Sequence, residues 1–197
     1  MTVIEGGNTA NSKATVNARG ELYVHATSTD EADEATKTGR SFNINTKDVT
    51  LTNATNTPVL YFKNNESEDF HMTALAVGLQ GSTDGDANVL CRITVVRNPT
   101  AGTIISSPTV VSINGNRNYG SADTMDSDVY VGATGDTMTG GGDQLYFYQA
   151  TKGRLFAPID EVIPKGSTLG VEIQAPDSNT SLTCYVALIG HLEDSKA

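Results

Sequence analysis

The chain has few of the residues from which active sites are most often built. Its 197 residues include no Trp, two Cys and three His, and aromatic residues make up 6% of the total. Sugar-binding clefts usually offer aromatic rings to their ligands. The recognised motifs of Ser, Cys and zinc hydrolases are missing as well. The sequence therefore predicts a protein that is not an enzyme and that needs no cofactor.

Positive charge is also scarce. Thirteen Lys and Arg residues face twenty-three Asp and Glu residues, which gives a formal net charge of −10. A charge of this sign repels phosphate backbones and anionic lipid head groups. No run approaches the roughly 18 apolar residues of a membrane helix, and the first residues lack the pattern of a signal peptide. We expect no nucleic acid and no membrane among the partners.

The two cysteines lie in apolar, strand-like runs. Cys91 stands within LCRITVV and Cys184 within LTCYVALI. Such positions favour small buried hydrophobic side chains. A disulfide between neighbouring strands is the alternative, although nothing else in the sequence indicates an oxidising compartment.

From Ser41 onward the chain is a succession of short runs rich in β-branched and aromatic residues, separated by Asn, Gly, Asp and Pro. This pattern, with almost no amphipathic helical periodicity, predicts an all-β domain over residues 41–197. Eight or more antiparallel strands in two sheets would form a β-sandwich, most simply a jelly roll. The predicted strands are SFNIN, DVTLT, PVLYFK, FHMTALAVGLQ, NVLCRITVVR, PTVVSI, QLYFYQA, TLGVEIQA and SLTCYVALIGHLE.

Residues 1–40 have a different character. Residues 1–20 are predicted to form an extended N-terminal arm, in which Val3 and Ile4 are the one strongly apolar pair. The arm docks on a neighbouring subunit in one interpretation and is a frayed terminus in the other. The runs KATV and ELYVH predict a hairpin with Gly20 in its turn. The acidic stretch Ser28 to Arg40 follows as a linker, with at most one helical turn.

The histidines do not form a recognisable metal motif. His25, His71 and His191 lie in three different strand-like runs. Cupin-like sites on a jelly roll need a His-x-His pair on one strand, and the chain has none. The sequence therefore predicts no metal site.

Two carboxylate clusters have simple structural explanations. Glu66, Glu68 and Asp69 fall between two predicted strands, where a hairpin connection explains them better than a glycosidase pair. Asp84 and Asp86 with Asn88 resemble the start of a calcium loop, but Val95 stands where the closing acid should be. A hairpin turn is the better interpretation.

The segment Asn114 to Asp143 is rich in Gly, Asp, Asn and Thr and lies between two strand signals. A loop of this length is usually functional, so we expect it to contact a partner. A calcium site at Asp123, Asp126, Asp128 and Asp136 is a weaker alternative. Together with the arm, the candidate interface residues are Val3, Ile4, Tyr119, Asp123, Asp128, Tyr130, Asp136 and Met138.

Several phrases of the chain resemble known structural proteins. VIEGGNTANSKATVNARGELYVHATS, NGNRNYGSAD, GATGDTMTGGG and IPKGSTLGVEIQAPDSNTSLTCYVALIGHLED are similar in style to small virion proteins of tailed bacteriophages. The closest likeness is to capsid decoration, or cement, proteins with a jelly-roll domain.

This resemblance implies a non-enzymatic protein, made in the host cytoplasm, that binds the major capsid protein on the outer surface of the virion. Such proteins commonly act as homotrimers that stabilise or decorate the head. The alternative is a head-fibre or tail-associated module for host recognition or carbohydrate binding.

Overall fold

The computed structural model describes residues 4–5, 13–16, 22–23, 30–51, 54–81, 90–111, 114–140, 142, 144–150, 153–176 and 182–194. Two short helices and fifteen strands lie within these ranges. The helices are α1 (Glu31–Lys37) and α2 (Thr103–Ser106). The strands are β1 (Ile4–Glu5), β2 (Lys13–Val16), β3 (Leu22–Tyr23), β4 (Ser41–Asn45), β5 (Val49–Thr50), β6 (Asn56–Asn64), β7 (Asp69–Gln80), β8 (Cys91–Arg97), β9 (Thr109–Val110), β10 (Asn114–Asn116), β11 (Ser127–Val131), β12 (Gln144–Ala150), β13 (Gly153–Ile163), β14 (Thr168–Gln174) and β15 (Thr183–Glu193).

The chain divides into two compact units, Met1–Glu31 and Ala32–Ala197. In the first unit, β1, β2 and β3 form a small antiparallel sheet in that order. The pairing of β2 with β3 confirms the predicted hairpin, while its turn, with Gly20, lies outside the described residues. Val3 lies outside them too, and docking of an N-terminal arm stays a prediction.

The second unit consists of two antiparallel sheets, which confirms the all-β sandwich. One sheet has the order β10-β4-β15-β7-β13, with β5 also paired to β15, and the other has the order β12-β8-β14-β6-β11-β9. Along the chain, the strands β4, β6, β7, β8, β12, β13, β14 and β15 change sheet at every step except from β8 to β12. This order supports the jelly roll, which remains the predicted form of the sandwich.

The core lies between the sheets, and the period-2 pattern of the strands builds it. In β15, Cys184, Val186 and Leu188 are buried, while the residues between them are partly exposed, as expected of a strand with one face in the core. Phe62 and Phe70 bring one aromatic ring from each sheet into this core, with 5.1 Å between ring centroids. One apolar cluster therefore joins both sheets.

The cysteines have the predicted role. Cys91 and Cys184 are both buried and both free. Burial raises the pKa of the Cys91 thiol to about 11 and raises that of Cys184 as well. Both side chains therefore stay protonated and behave as small hydrophobes.

The segment Asn114 to Asp143 is not the open loop that its composition predicts. β10 adds to the edge of one sheet beside β4, and β11 pairs with β6 in the other. Met125, Val129 and Val131 are buried in the main core. This prediction was wrong because β11 has a short apolar alternation that is surrounded by turn residues.

Strand β13 was not predicted from the sequence at all. Pro158 stands in its middle, and the register shifts between Pro158 and Glu161. Within the described residues β13 pairs with β7 alone, and proline is tolerated on such an edge because no partner needs its missing N–H. Helix α1 begins at Glu31, where the sequence allowed one helical turn within the predicted linker; it extends to Lys37 and buries Ala35.

Candidate functional site

The outer face of the β10-β4-β15-β7-β13 sheet carries a surface that we call the uncharged band. Residues directly opposite each other in an antiparallel ladder share a face of the sheet. The band consists of two such rows, each with one residue from β13, β7, β15 and β4. The rows are Phe156–Ala76–Ala187–Asn45 and Pro158–Ala74–Ile189–Asn43.

Phe156 is the largest apolar side chain of the band and is 63% exposed. Its cross-strand neighbour is Ala76, which is too small to cover an aromatic ring. Arg154 lies on the same face of β13 two residues before Phe156, and a cluster of His and acidic side chains lies beyond Pro158. Charged groups therefore flank the band along β13 and are absent from its two rows. Proteins often bind each other through surfaces of this composition.

The predicted interface residues of the second unit are spread over its surface and interior. Tyr119 is fully exposed. Asp123 accepts a hydrogen bond of 2.9 Å from the Ser121 hydroxyl. Asp136 accepts bonds from the backbone N–H of Ala133 and the Thr103 hydroxyl, so it fixes a turn. These three residues remain candidates for contact with a partner.

The other three predicted residues are already engaged within the chain. Asp128 lies 3.9 Å from the Lys63 ammonium group. Tyr130 stacks on Tyr61, with 5.2 Å between ring centroids. Met138 is buried beside Tyr61 and over the backbone of Gly170, so it is not available at the surface. The side chain of Met138 fills space inside the domain, and its role in contact with a partner stays a prediction.

The predicted carboxylate clusters have structural roles where they are described. Glu68 pairs with Arg40, and Glu66 accepts a hydrogen bond from the backbone N–H of Asp126. Among the described residues, the four loop aspartates named for calcium do not form a metal-binding group. The Asp84 cluster lies outside the described residues.

The structure does bring two of the three histidines together. His71 on β7 and His191 on β15 are direct partners across the ladder, and their ring centroids are 5.1 Å apart. Glu193 Oε1 lies 2.9 Å from His71 Nδ1 and 2.7 Å from His191 Nε2. The second nitrogen of His71, Nε2, faces the carboxylate of Asp160 on β13. We call these four residues the histidine cluster.

The pKa values of Glu193 and His71 both shift in the direction that favours their charged forms. The hydrogen bonds from His71 and then from His191 lower the pKa of Glu193 to about 2, although burial acts in the opposite direction. Burial also works against a charged His71, but its hydrogen bonds to Glu193 and Asp160 outweigh burial and raise its pKa. An ionised carboxylate can only accept hydrogen bonds. Both nitrogens of His71 therefore carry protons when it donates to both acids.

An irregularity in the β7–β15 ladder positions the side chains of the histidine cluster. The ladder between β7 and β15 shifts register at Ile189 and Gly190, directly before His191. A Cβ at Gly190 would overlap the backbone oxygen of His71 and the ring of Phe70. Bulges of this kind change the direction of neighbouring side chains. Sequence spacing could not show the cluster, because strand pairing joins residues 120 positions apart.

One concave site is lined by residues of β8, β12, β13 and β14. Arg97, Leu145, Glu161, Val162 and Thr168 are among the residues that line a cavity of about 210 Å³. Sites for drug-sized ligands usually measure about 300 to 1,000 Å³. The cavity is thus too small to suggest a large organic substrate.

The histidine cluster predicts a pH window of stability in the absence of metal. Because the pKa of Glu193 is lowered from its ordinary value of 4.5, this carboxylate stabilises the fold above about pH 4.5. The stabilisation is lost as the pH falls towards 2. Because the pKa of His71 is raised from its ordinary value of 6.5, this side chain stabilises the fold below about pH 6.5. The stabilisation is lost as the pH rises through the pKa that His71 has in the folded state. Asp160, His191 and Glu193 face His71 from the neighbouring strands, and Asp69 lies opposite Glu193. The combined effect is therefore largest between about pH 4.5 and 6.5.

We expect His71→Gln to lower the free energy of unfolding by about 1.5 to 3 kcal/mol at pH 5.5, the range for hydrogen bonds to charged groups. The loss should be smaller at pH 8.5. Urea titrations followed by circular dichroism in EDTA measure both values. Asp128→Asn is the control, because it removes an exposed charge from β11 in the other sheet. It should change the free energy of unfolding by less than about 0.5 kcal/mol at both pH values. An equal loss for His71→Gln at both pH values would contradict the charge assignment.

Comparisons with known proteins add no family to these observations. No model of a known protein family matches the chain, and no curated protein was found to be similar to it. Neither described helix is long or apolar enough to cross a membrane.

Proposed function

We propose that the chain is a non-enzymatic virion structural protein that binds the outer capsid surface and stabilises or decorates the head. The observation that carries the proposal is the uncharged band with the exposed Phe156 at its edge. The resemblance of the sequence to capsid decoration proteins supplies the partner, which is the major capsid protein. Localisation on the virion surface is part of the same proposal.

The band suits this function for a physical reason. Desolvating charged side chains costs free energy on association, and interface centres are accordingly depleted of charge and enriched in aromatic residues. The chain carries a net charge of −10, so most of its surface repels another copy and other acidic proteins. Another protein can cover the uncharged band without burying charged side chains.

Repetition strengthens such contacts. A capsid presents the same surface many times, and a trimer engages several copies at once. Each contact can then be weak while the whole assembly is held firmly through effective concentration. We therefore propose a homotrimer on the capsid as the functional form.

Co-sedimentation tests the proposal. The purified chain is mixed with shells assembled from the major capsid protein of the same virus, and its mass in solution is measured separately by light scattering. We expect a trimer and saturable binding at a fixed number of copies per shell. A strict monomer that stays in the supernatant at every concentration would contradict the proposal.

The same samples separate the alternative function. A host-recognition or carbohydrate-binding module should bind glycans on an array and should ignore the shells. No described feature favours glycan binding. Tyr146 and Tyr148 stack on each other with 5.9 Å between centroids and are partly buried against the core.

A further inference from the structure

We infer that His71, His191 and Glu193 form a binding site for a divalent transition-metal ion of the zinc class. One possible ligand atom from each residue lies within 4.8 Å of the others. Two imidazoles and one carboxylate are a set that Zn²⁺ binds readily in proteins. This inference is independent of the capsid proposal.

The distances fit a compact ion. Zinc ligands stand about 2.0 to 2.2 Å from the metal, so neighbouring ligand atoms of a tetrahedral site are roughly 3.3 Å apart. Glu193 Oε1 is 2.9 Å from His71 Nδ1 and 2.7 Å from His191 Nε2. The carboxylate oxygen would therefore move away from the two imidazole nitrogens by about half an ångström to make room for the ion.

Asp160 strengthens the assignment. Histidines that bind metals usually donate their second N–H to a carboxylate, which fixes the tautomer and turns the other nitrogen towards the ion. His71 has this arrangement, because Asp160 faces Nε2 while Nδ1 is directed to Glu193. Asp160 is thus a positioning residue and does not need to contact the metal.

The burial of the three side chains also suits a metal-binding site. The side chain of His191 is 4% exposed, whereas those of His71 and Glu193 are 22% and 20% exposed. The site is therefore held by a buried ligand and open to solvent on one side. One ion would tie β7 to β15, and Asp160 would extend the connection to the edge strand β13.

Metal titration tests the inference. Isothermal titration with Zn²⁺, after dialysis against EDTA and removal of the chelator, should give one equivalent bound per chain. Co²⁺ should give the visible absorption of a site with nitrogen and oxygen ligands. At a hundredfold excess of Zn²⁺ over its dissociation constant, the unfolding midpoint should rise by roughly 5 to 10 °C. Absence of stoichiometric binding at 100 μM Zn²⁺, roughly the weakest affinity expected of a built site, would overturn the inference.

Variants locate the ion. His71→Gln and Glu193→Gln should weaken Zn²⁺ binding at least about 100-fold, while Asp160→Asn should weaken it by about 10 to 100-fold, as expected of an outer carboxylate. His25→Gln is the matched control because His25 is the one histidine of the sequence outside the proposed ligand set, and it should leave affinity unchanged. Unchanged affinity in His71→Gln, or equal losses in His25→Gln and His71→Gln, would overturn the assignment.

A spectroscopic measurement avoids dependence on variants that fold poorly, a concern for the buried His191. X-ray absorption at the zinc edge of the unmodified protein should show scattering from two imidazole rings. A first shell of oxygen atoms alone would show that zinc binds elsewhere and would overturn the inference.

Discussion

Replacing residues 119–141 with a short Gly-Ser linker is expected to leave the chain unfolded or insoluble. Met125, Val129 and Val131 belong to the main core, and Met138 packs against Tyr61. Fully burying one such side chain contributes about 1.5 to 3 kcal/mol. The four together account for about 6 to 12 kcal/mol, which approaches the whole stability of about 5 to 15 kcal/mol expected of a domain.

Soluble yield and urea denaturation measure this effect. Tyr119→Ser is the matched control, because Tyr119 lies in the same segment and is fully exposed. It should change the free energy of unfolding by less than about 0.5 kcal/mol. A shortened chain that unfolds at the same urea concentration as the full one would show that the segment is dispensable for folding.

Replacing Phe156 with Glu is expected to weaken binding to capsid shells by at least about 100-fold. An aromatic side chain that becomes buried in an interface can contribute about 2 kcal/mol or more, and the variant also places an unpaired charge in the contact. Because Phe156 is 63% exposed, the change should have little effect on folding. Co-sedimentation and an unfolding curve measure the two properties separately.

Tyr119→Glu provides the control for this experiment. It makes the same kind of change at an exposed aromatic residue of the predicted contact loop, away from the two rows of the uncharged band. If the band is the contact surface, Tyr119→Glu should bind shells as well as the unmodified chain does. If Tyr119→Glu loses binding and Phe156→Glu retains it, the contact surface is the loop and not the band.

Much of the fold could be predicted because local patterns dictate it. All nine runs predicted as strands correspond to strands in the structure, although DVTLT and PTVVSI retain only two strand residues each. Such patterns are readable because a strand with one face in the core must repeat every two residues.

The missed strands share a physical cause, which is that pairing compensates for weak local signals. Pro158 interrupts β13, yet an edge strand with a register shift accommodates it. In β11, Val129 and Val131 form an apolar alternation of only two residues. Backbone pairing with β6 stabilises that short strand, and no local pattern reports a partner so far away in the sequence.

The candidate sites were even less accessible to prediction. The histidine cluster depends on the register between β7 and β15, which places His71 opposite His191. The uncharged band depends on the register of four strands. Exposed Phe156 gave no signal in the sequence, since an apolar residue in a strand is more often buried.

The most direct test of the central claim is a map of capsid shells decorated with this chain, obtained by electron cryo-microscopy. We predict that the outer face of the β10-β4-β15-β7-β13 sheet lies against protein, with Phe156 buried in the contact with the capsid. A map in which the chain is bound while that face points to solvent would contradict the assignment of the band. Shells that carry no density for the chain would contradict the proposed function itself.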